Sequence, residues 1–255
     1  MKKRKLLSIA LSTIIVGTLF VGCNSKSVEN GEKKYLIASD SKYAPFSFEE
    51  DGKYQGIDIE ILAAVAEEAG FEYELKPMDF NAIIPALTSN QIDAAMSAMS
   101  ITDERKEVLD FSEGYFESGL SILLAGNNTE INGIDDLKNK IVAVKKGTAG
   151  EKWALDNEET YNLKLKHFDD SPSLLLAIKG GNADFALEDY PVIAYKIKLD
   201  ADNELRITGE KVTTSNYGFA VNKGKNAELL EKFQSGLKAI KENGKYDEIL
   251  SKYLN

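Results

Sequence analysis

The sequence has little of the chemistry from which most catalytic and metal sites are built. It holds one cysteine, one histidine and one tryptophan in 255 residues. A single cysteine permits no intramolecular disulfide, and Cys23 with His167 cannot supply the ligand set of a structural zinc site. A histidine-dependent triad would have to recruit His167 from a very polar stretch. Positive charge is scarce as well: 31 Lys and Arg face 41 Asp and Glu, for a formal net charge of -10. A chain this acidic repels phosphates, and no basic cluster follows residue 5, so sequence-independent binding to nucleic acid is excluded. No nucleophile stands beside a base. Gly147-Thr148-Ala149-Gly150 lacks the rest of a Walker pattern, so ATP hydrolysis would belong to a partner. Neither a metal nor a cofactor is expected.

What is present begins with Lys2, Lys3, Arg4 and Lys5, followed by an apolar run over residues 6–21 that ends at Gly22-Cys23. The run falls short of the roughly 20 apolar residues of a spanning helix and has no stop-transfer charges behind it, which is the layout of an export signal. Its end, Phe20-Val21-Gly22-Cys23, resembles the bacterial lipoprotein cleavage box, with Phe20 where leucine is usual. That resemblance implies removal of residues 1–22, lipidation of Cys23 and an extracytoplasmic protein anchored to the cell membrane. A buried free cysteine, the plain alternative, does not explain a lone Cys directly after a small residue at this place. Residues 23–33 carry Ser, Asn, Gly and charge without an apolar period, and read as a polar tether.

After the tether, strands and helices trade places. Residues 35–39 form a short apolar run. Residues 59–69 set Ile61, Leu62, Val65 and Ala69 on one helical stripe stopped by Gly70. Residues 71–75 alternate like a strand, 81–88 read as a helix through Ile83, Ile84 and Leu87, and 92–99 as a buried strand. The same grammar restarts at Asp135, with a strand over 140–145, a helix opening at Gly147-Thr148-Ala149-Gly150, a helix over 173–179, a strand over 183–187 and a helix from Pro191 to about Lys198. A strand at 218–222 and helices over 227–240 and 246–253 close the chain. The expectation is an α/β fold of two lobes, each with a largely parallel sheet.

The segment Gly56-Ile57-Asp58-Ile59-Glu60-Ile61, with Val65, Ala66 and Ala69, matches the signature of the polar amino-acid class of extracytoplasmic solute-binding proteins, family 3, the capture subunits of ABC importers. The resemblance continues through Asp40-Ser41-Lys42-Tyr43-Ala44-Pro45-Phe46, residues 73–80, residues 101–106, residues 142–148 and Glu242-Asn243-Gly244-Lys245-Tyr246, so it spans nearly everything after the tether. Within the family the chain is most similar to the glutamine-binding members. The resemblance implies a type II clamshell: residues 34–114 and 218–255 as lobe 1, residues 120–212 as lobe 2, hinges at 115–119 and 213–217, and an amino acid in the cleft. Its partners would be the free amino acid and an ABC permease with its ATPase subunits.

By family position, Arg105 clamps the ligand carboxylate, and a guanidinium fork suits two carboxylate oxygens. On its own it could equally be a surface arginine in an Asp-Glu-Arg-Lys cluster. Asp189 is the ammonium partner, or the N-cap of the helix that follows. Ala98 and Ser100 would meet the ligand through backbone and hydroxyl, and Thr148 with Ala149 through amides of lobe 2. Glycine is usual at the Ala98 and Ala149 positions. Tyr43 and Phe80 would sandwich the aliphatic stem; Tyr43, in a polar turn, suits a cleft better than a core.

Side-chain choice falls to Asp40, which accepts from an amide or an ammonium, to Lys145, which donates to a carbonyl, and to Glu188, where the glutamine binders carry histidine. A neutral amide satisfies Asp40 and Lys145 together, so glutamine ranks first and arginine or lysine second. Two further readings are weighed. A few proteins of this fold are enzymes, cyclohexadienyl dehydratases among them, and a buried Glu188 could act there as a general acid. A sensor or adhesin would use the same cleft.

Overall fold

The structure, a computed structural model, describes residues 33–254. The expected signal, the lipidation site Cys23 and all but Lys33 of the tether lie outside the described residues.

The chain opens with β1 (Lys34–Ser39), a small meander of β2 (Lys42–Tyr43), β3 (Ser47–Glu50) and β4 (Lys53–Gln55), then α1 (Ile57–Ala69), β5 (Glu72–Pro77) and α2 (Phe80–Thr88). There follow β6 (Ala94–Ala95), the single turn α3 (Asp103–Lys106) and β7 (Leu109–Phe111). After β8 (Phe116–Ser118), the second half runs β9 (Leu120–Ala125), β10 (Ile141–Lys145), α4 (Ala149–Asp156), α5 (Glu158–Tyr161), β11 (Lys164–Phe168), α6 (Ser171–Lys179), β12 (Phe185–Asp189), α7 (Tyr190–Leu199) and β13 (Leu205–Thr208). Finally β14 (Ser215–Tyr217), β15 (Ala220–Asn222), α8 (Ala227–Glu242) and α9 (Lys245–Leu254) return to the first sheet.

Two five-stranded sheets result, ordered β5-β1-β6-β15-β7 and β11-β10-β12-β9-β13. Each is largely parallel, with one reversed strand: β1 pairs in parallel with β5 and β6, and β10 with β11 and β12, while β15 and β9 join antiparallel to both of their neighbours. The reversed strands β9 and β15 enter straight from the crossovers, without the helix that a parallel partner requires. The sheets are tied by an antiparallel ribbon of β8 and β14, in which Ser118 faces Ser215 and Phe116 faces Tyr217.

Both sheets are covered on two faces, as their alternation dictates. In β1, Tyr35 and Ile37 pack with α1, α8 and α9, and Ala38 packs beneath α2. In β10, Val142 and Val144 face the α4 side, and Ala143 faces the α6 and α7 side. The active ends are therefore the carboxyl ends of β1, β6, β10 and β12, where ligands of open α/β sheets bind.

The strand expected over 92–99 is only two residues long. Ala98 has a left-handed φ of 45°, and its N–H donates to the buried carboxylate of Asp58 at 2.6 Å, so the backbone leaves the ladder before residue 99. The conformation suits glycine better than alanine.

Candidate functional site

Tyr43, Phe80, Ala98, Ser100, Arg105, Lys145, Thr148, Ala149 and Asp189 line one small cavity between the two sheets. Its volume is about 10 Å³, so an amino acid is admitted only when the walls move apart. Asp40 and Glu188 complete the eleven residues singled out from the sequence, each standing behind a lining residue and bonded to it.

Lys145 ends β10 with its side chain almost wholly buried. Its ammonium donates to Asp40 Oδ2 and lies 4.4 Å from the Tyr43 ring and 5.5 Å from the Phe80 ring. The slot between the aromatics is thus filled by a cation of the protein's own. Asp40 is fixed from the other side, since its Oδ1 accepts the Lys42 N–H at 2.9 Å and its own N–H donates to Ser97 Oγ at 3.0 Å.

Arg105 is buried rather than exposed. Thr102 caps the short turn by accepting the Arg105 N–H, which aims the side chain inward. Nη1 donates to the Ser100 carbonyl at 2.7 Å, and Nη2 crosses to the Gly147 carbonyl at 2.9 Å. Five guanidinium N–H groups are available, so two carbonyls do not exhaust them. Burial pulls this guanidinium down, and the charges of Asp189 and Glu104 oppose that pull.

Asp189 precedes α7 but makes no side-chain cap. Its carboxylate turns instead to Tyr43 Oη, 2.6 Å from Oδ2, and accepts from the Tyr217 hydroxyl. Glu188 Oε1 lies 3.0 Å from the same Tyr43 Oη, and its Oε2 accepts from Ser171 Oγ at 2.9 Å. Burial raises both carboxyls; Lys145 counters it at Glu188, and the tyrosines, then Arg105, counter it at Asp189. The Tyr43 hydroxyl, buried beside both, is pushed well up. Thr148 caps α4 by accepting the Glu151 N–H and donates to the Lys145 carbonyl, so it supports the lysine as well as lining the cavity.

Three further residues belong to the site. Tyr217 binds Asp189 and is itself held by Ser118 Oγ at 2.9 Å; Ser171 holds Glu188. Asp58 holds the Ala98 N–H and accepts from Tyr115 Oη at 2.7 Å. Asp58 had a signal in the sequence: it shares the apolar stripe with Ile61, Leu62 and Val65, where a lone carboxyl calls for buried partners. Tyr217 and Ser171 had none, because nothing in their neighbourhood distinguishes them from a strand tyrosine and a helix-start serine.

A cleft between two α/β lobes, lined by a buried guanidinium, a buried carboxylate and two aromatic rings, defines a solute-binding clamshell. Residues 35–255 match the bacterial extracellular solute-binding proteins, family 3, and the chain belongs to that family. The arginine-binding extracellular protein ArtP of Bacillus subtilis is 32% identical, over 98% of this chain and 98% of its own length. An ancestral arginine-binding protein solved with arginine is 36% identical, with a TM-score of 0.82 over 87% of this chain and 98% of that one. An ancestral arginine-binding protein solved with glutamine is 37% identical, with a TM-score of 0.80 over 86% of this chain and 97% of that one.

Proposed function

We propose that the protein is the lipid-anchored capture subunit of an ABC importer for a polar amino acid, with glutamine as the preferred ligand. The observation that carries this is the pairing of Arg105 and Asp189 on one buried cavity. A free amino acid brings one carboxylate and one ammonium, and both need partners once water is excluded. Arg105 takes the carboxylate, Asp189 the ammonium, and Tyr43 with Phe80 the aliphatic stem. Lobe 1 (34–114 and 218–255) and lobe 2 (120–212) part about 115–119 and 213–217 to admit the ligand. Lys145 then yields the slot between the rings while keeping Asp40, and the pair offers one donor and one acceptor to a side-chain amide.

A second reading, arginine or lysine, is favoured by the three buried carboxyls Asp40, Glu188 and Asp189 against the two cations Lys145 and Arg105. A binding rather than catalytic role suits the family; the dehydratase alternative is tested by looking for the aromatic product from prephenate or arogenate. The discriminating experiment is a thermal-shift screen against the twenty amino acids, after unfolding and refolding to strip carried-over ligand. Ligand at a hundredfold excess over its dissociation constant adds about 2.7 kcal/mol. A shift with glutamine supports the first reading and a shift with arginine or lysine the second, and no shift with any of them rejects both.

A further inference from the structure

The Tyr43 hydroxyl touches two carboxyl groups from the facing lobe and has one hydrogen to give. Asp189 has the stronger claim on it. Its oxygen is nearer, at 2.6 Å against 3.0 Å, and the Tyr217 phenol and the Arg105 charge favour its ionised form. The contact between Tyr43 Oη and Glu188 Oε1 then lacks a hydrogen. An ionised carboxylate can only accept, so an anionic Glu188 would set lone pair against lone pair in a buried place. With a proton on Oε1 the contact becomes a hydrogen bond from Glu188 to Tyr43, while Oε2 keeps the hydrogen of Ser171.

The rest of the surroundings agree. The cation acting on Glu188 is Lys145 of β10, which is committed to Asp40; Tyr43 comes from β2, Ser171 from α6 and Asp189 is the next residue. Across the strand pair, Glu188 faces Ser121 of β9. Beside Ser171, Asp170 is ion-paired with Lys42. Burial pushes Glu188 in the direction of the protonated form.

We propose that Glu188 holds a proton when the cleft takes a neutral ligand side chain, and that release of this proton turns the same cleft toward a cationic one. With Glu188 neutral, Asp40 and Asp189 are balanced by Lys145 and Arg105, the ligand's own carboxylate and ammonium cancel, and an amide adds no charge. With Glu188 ionised, one buried negative charge is left behind Tyr43, and the side chain of arginine or lysine cancels it. Glu188 acts through Tyr43 as a positioning residue. The inference rests on the amino-acid reading and adds to it a pH at which the preference changes.

The test is calorimetric binding of glutamine and of arginine to the full chain and to Glu188→Gln, from about pH 5 to about pH 9. The glutamine side chain reproduces the protonated acid, its amide donating to Tyr43 and its carbonyl accepting from Ser171. In the native protein, glutamine affinity is expected to fall roughly tenfold per pH unit above the Glu188 midpoint, with the arginine-to-glutamine ratio rising alongside. In Glu188→Gln both slopes should vanish. Equal slopes in the two proteins, or none in either, overturn the proposal. An infrared difference spectrum between native protein and Glu188→Gln, with no amino acid added, should show the carbonyl band of one protonated carboxylic acid; its absence at about pH 6 also overturns it. Loss of all binding with the infrared band present would reject the amino-acid reading and leave the proton on Glu188 standing.

Discussion

Arg105 and Asp189 are each surrounded by enough neighbours to keep the fold when shortened, and in the proposed site each is the charge assigned to one end of a zwitterion. Arg105→Ala and Asp189→Ala should each cost about 2–5 kcal/mol in binding, enough to abolish it at ordinary ligand concentrations, with an unchanged circular dichroism spectrum. Calorimetry on the two variants checks this, and retained affinity in either removes that residue from the site. Lys145 gives a test of opposite sign for two ligands. Lys145→Ala leaves Asp40 without its partner between two rings, so arginine should bind at least about tenfold more tightly and glutamine more weakly. Competition between the two ligands on one sample measures both effects. A gain for neither ligand would mean that the lysine does not stand in the ligand's way.

At the scale of elements, the run from β6 to α3 shows what the sequence could and could not reveal. The helices around it were legible because each buries a stripe: Ile61, Leu62 and Val65 on α1, Ile83 and Leu87 on α2. Arg105, Ser100 and Asp189 were singled out by the family resemblance, since those patterns alone left Arg105 a surface residue and Asp189 a helix cap. The early end of β6 was hidden, because alanine and serine permit a strand and the left-handed turn at Ala98 depends on Asp58, forty residues earlier in the chain. The two antiparallel strands β9 and β15 were hidden for a related reason, since an apolar run does not say which way its neighbours point. Ala98→Gly relieves the strained backbone, and should stabilise the protein by about 0.5–1 kcal/mol once the greater freedom of glycine in the unfolded chain is set against the gain. A lower melting midpoint for this variant would mean that the alanine methyl contributes more by packing than its backbone loses. Gly119 tests the ribbon. A Cβ there would sit 2.0 Å from the Thr213 carbonyl, so Gly119→Ala must push the two crossing strands apart, and should cost about 1–3 kcal/mol, read as a lowered denaturation midpoint.

For the molecule as a whole, the buried carboxyls set how stability varies with pH. Asp58 is pushed up to about 7 by burial, against the opposing hydrogen bonds from Tyr115 and Ala98, and Glu188 and Asp189 move in the same direction. Between the ordinary carboxyl value and the raised one, the folded chain binds more protons than the unfolded chain, so stability falls as pH rises. For Asp58 that window runs from about pH 4 to about 7. Denaturant midpoints for the native protein should therefore fall across this window, and Asp58→Asn should flatten part of the slope. An identical slope in the variant would place the effect elsewhere.

The position of β15 also bears on the order in which the molecule can be assembled. It lies between β6 and β7 in the first sheet, although more than a hundred residues separate it from either along the chain. The second sheet is complete once β13 has been made. A chain synthesised from its amino end can thus close its second lobe while the first still has a gap in its middle, and the first lobe waits for the final stretch of polypeptide. Tyr217, which secures Asp189, arrives in that same stretch. Binding competence is consequently a property of the finished chain, and a truncated product lacking its last forty or so residues would fold a lobe yet hold no ligand.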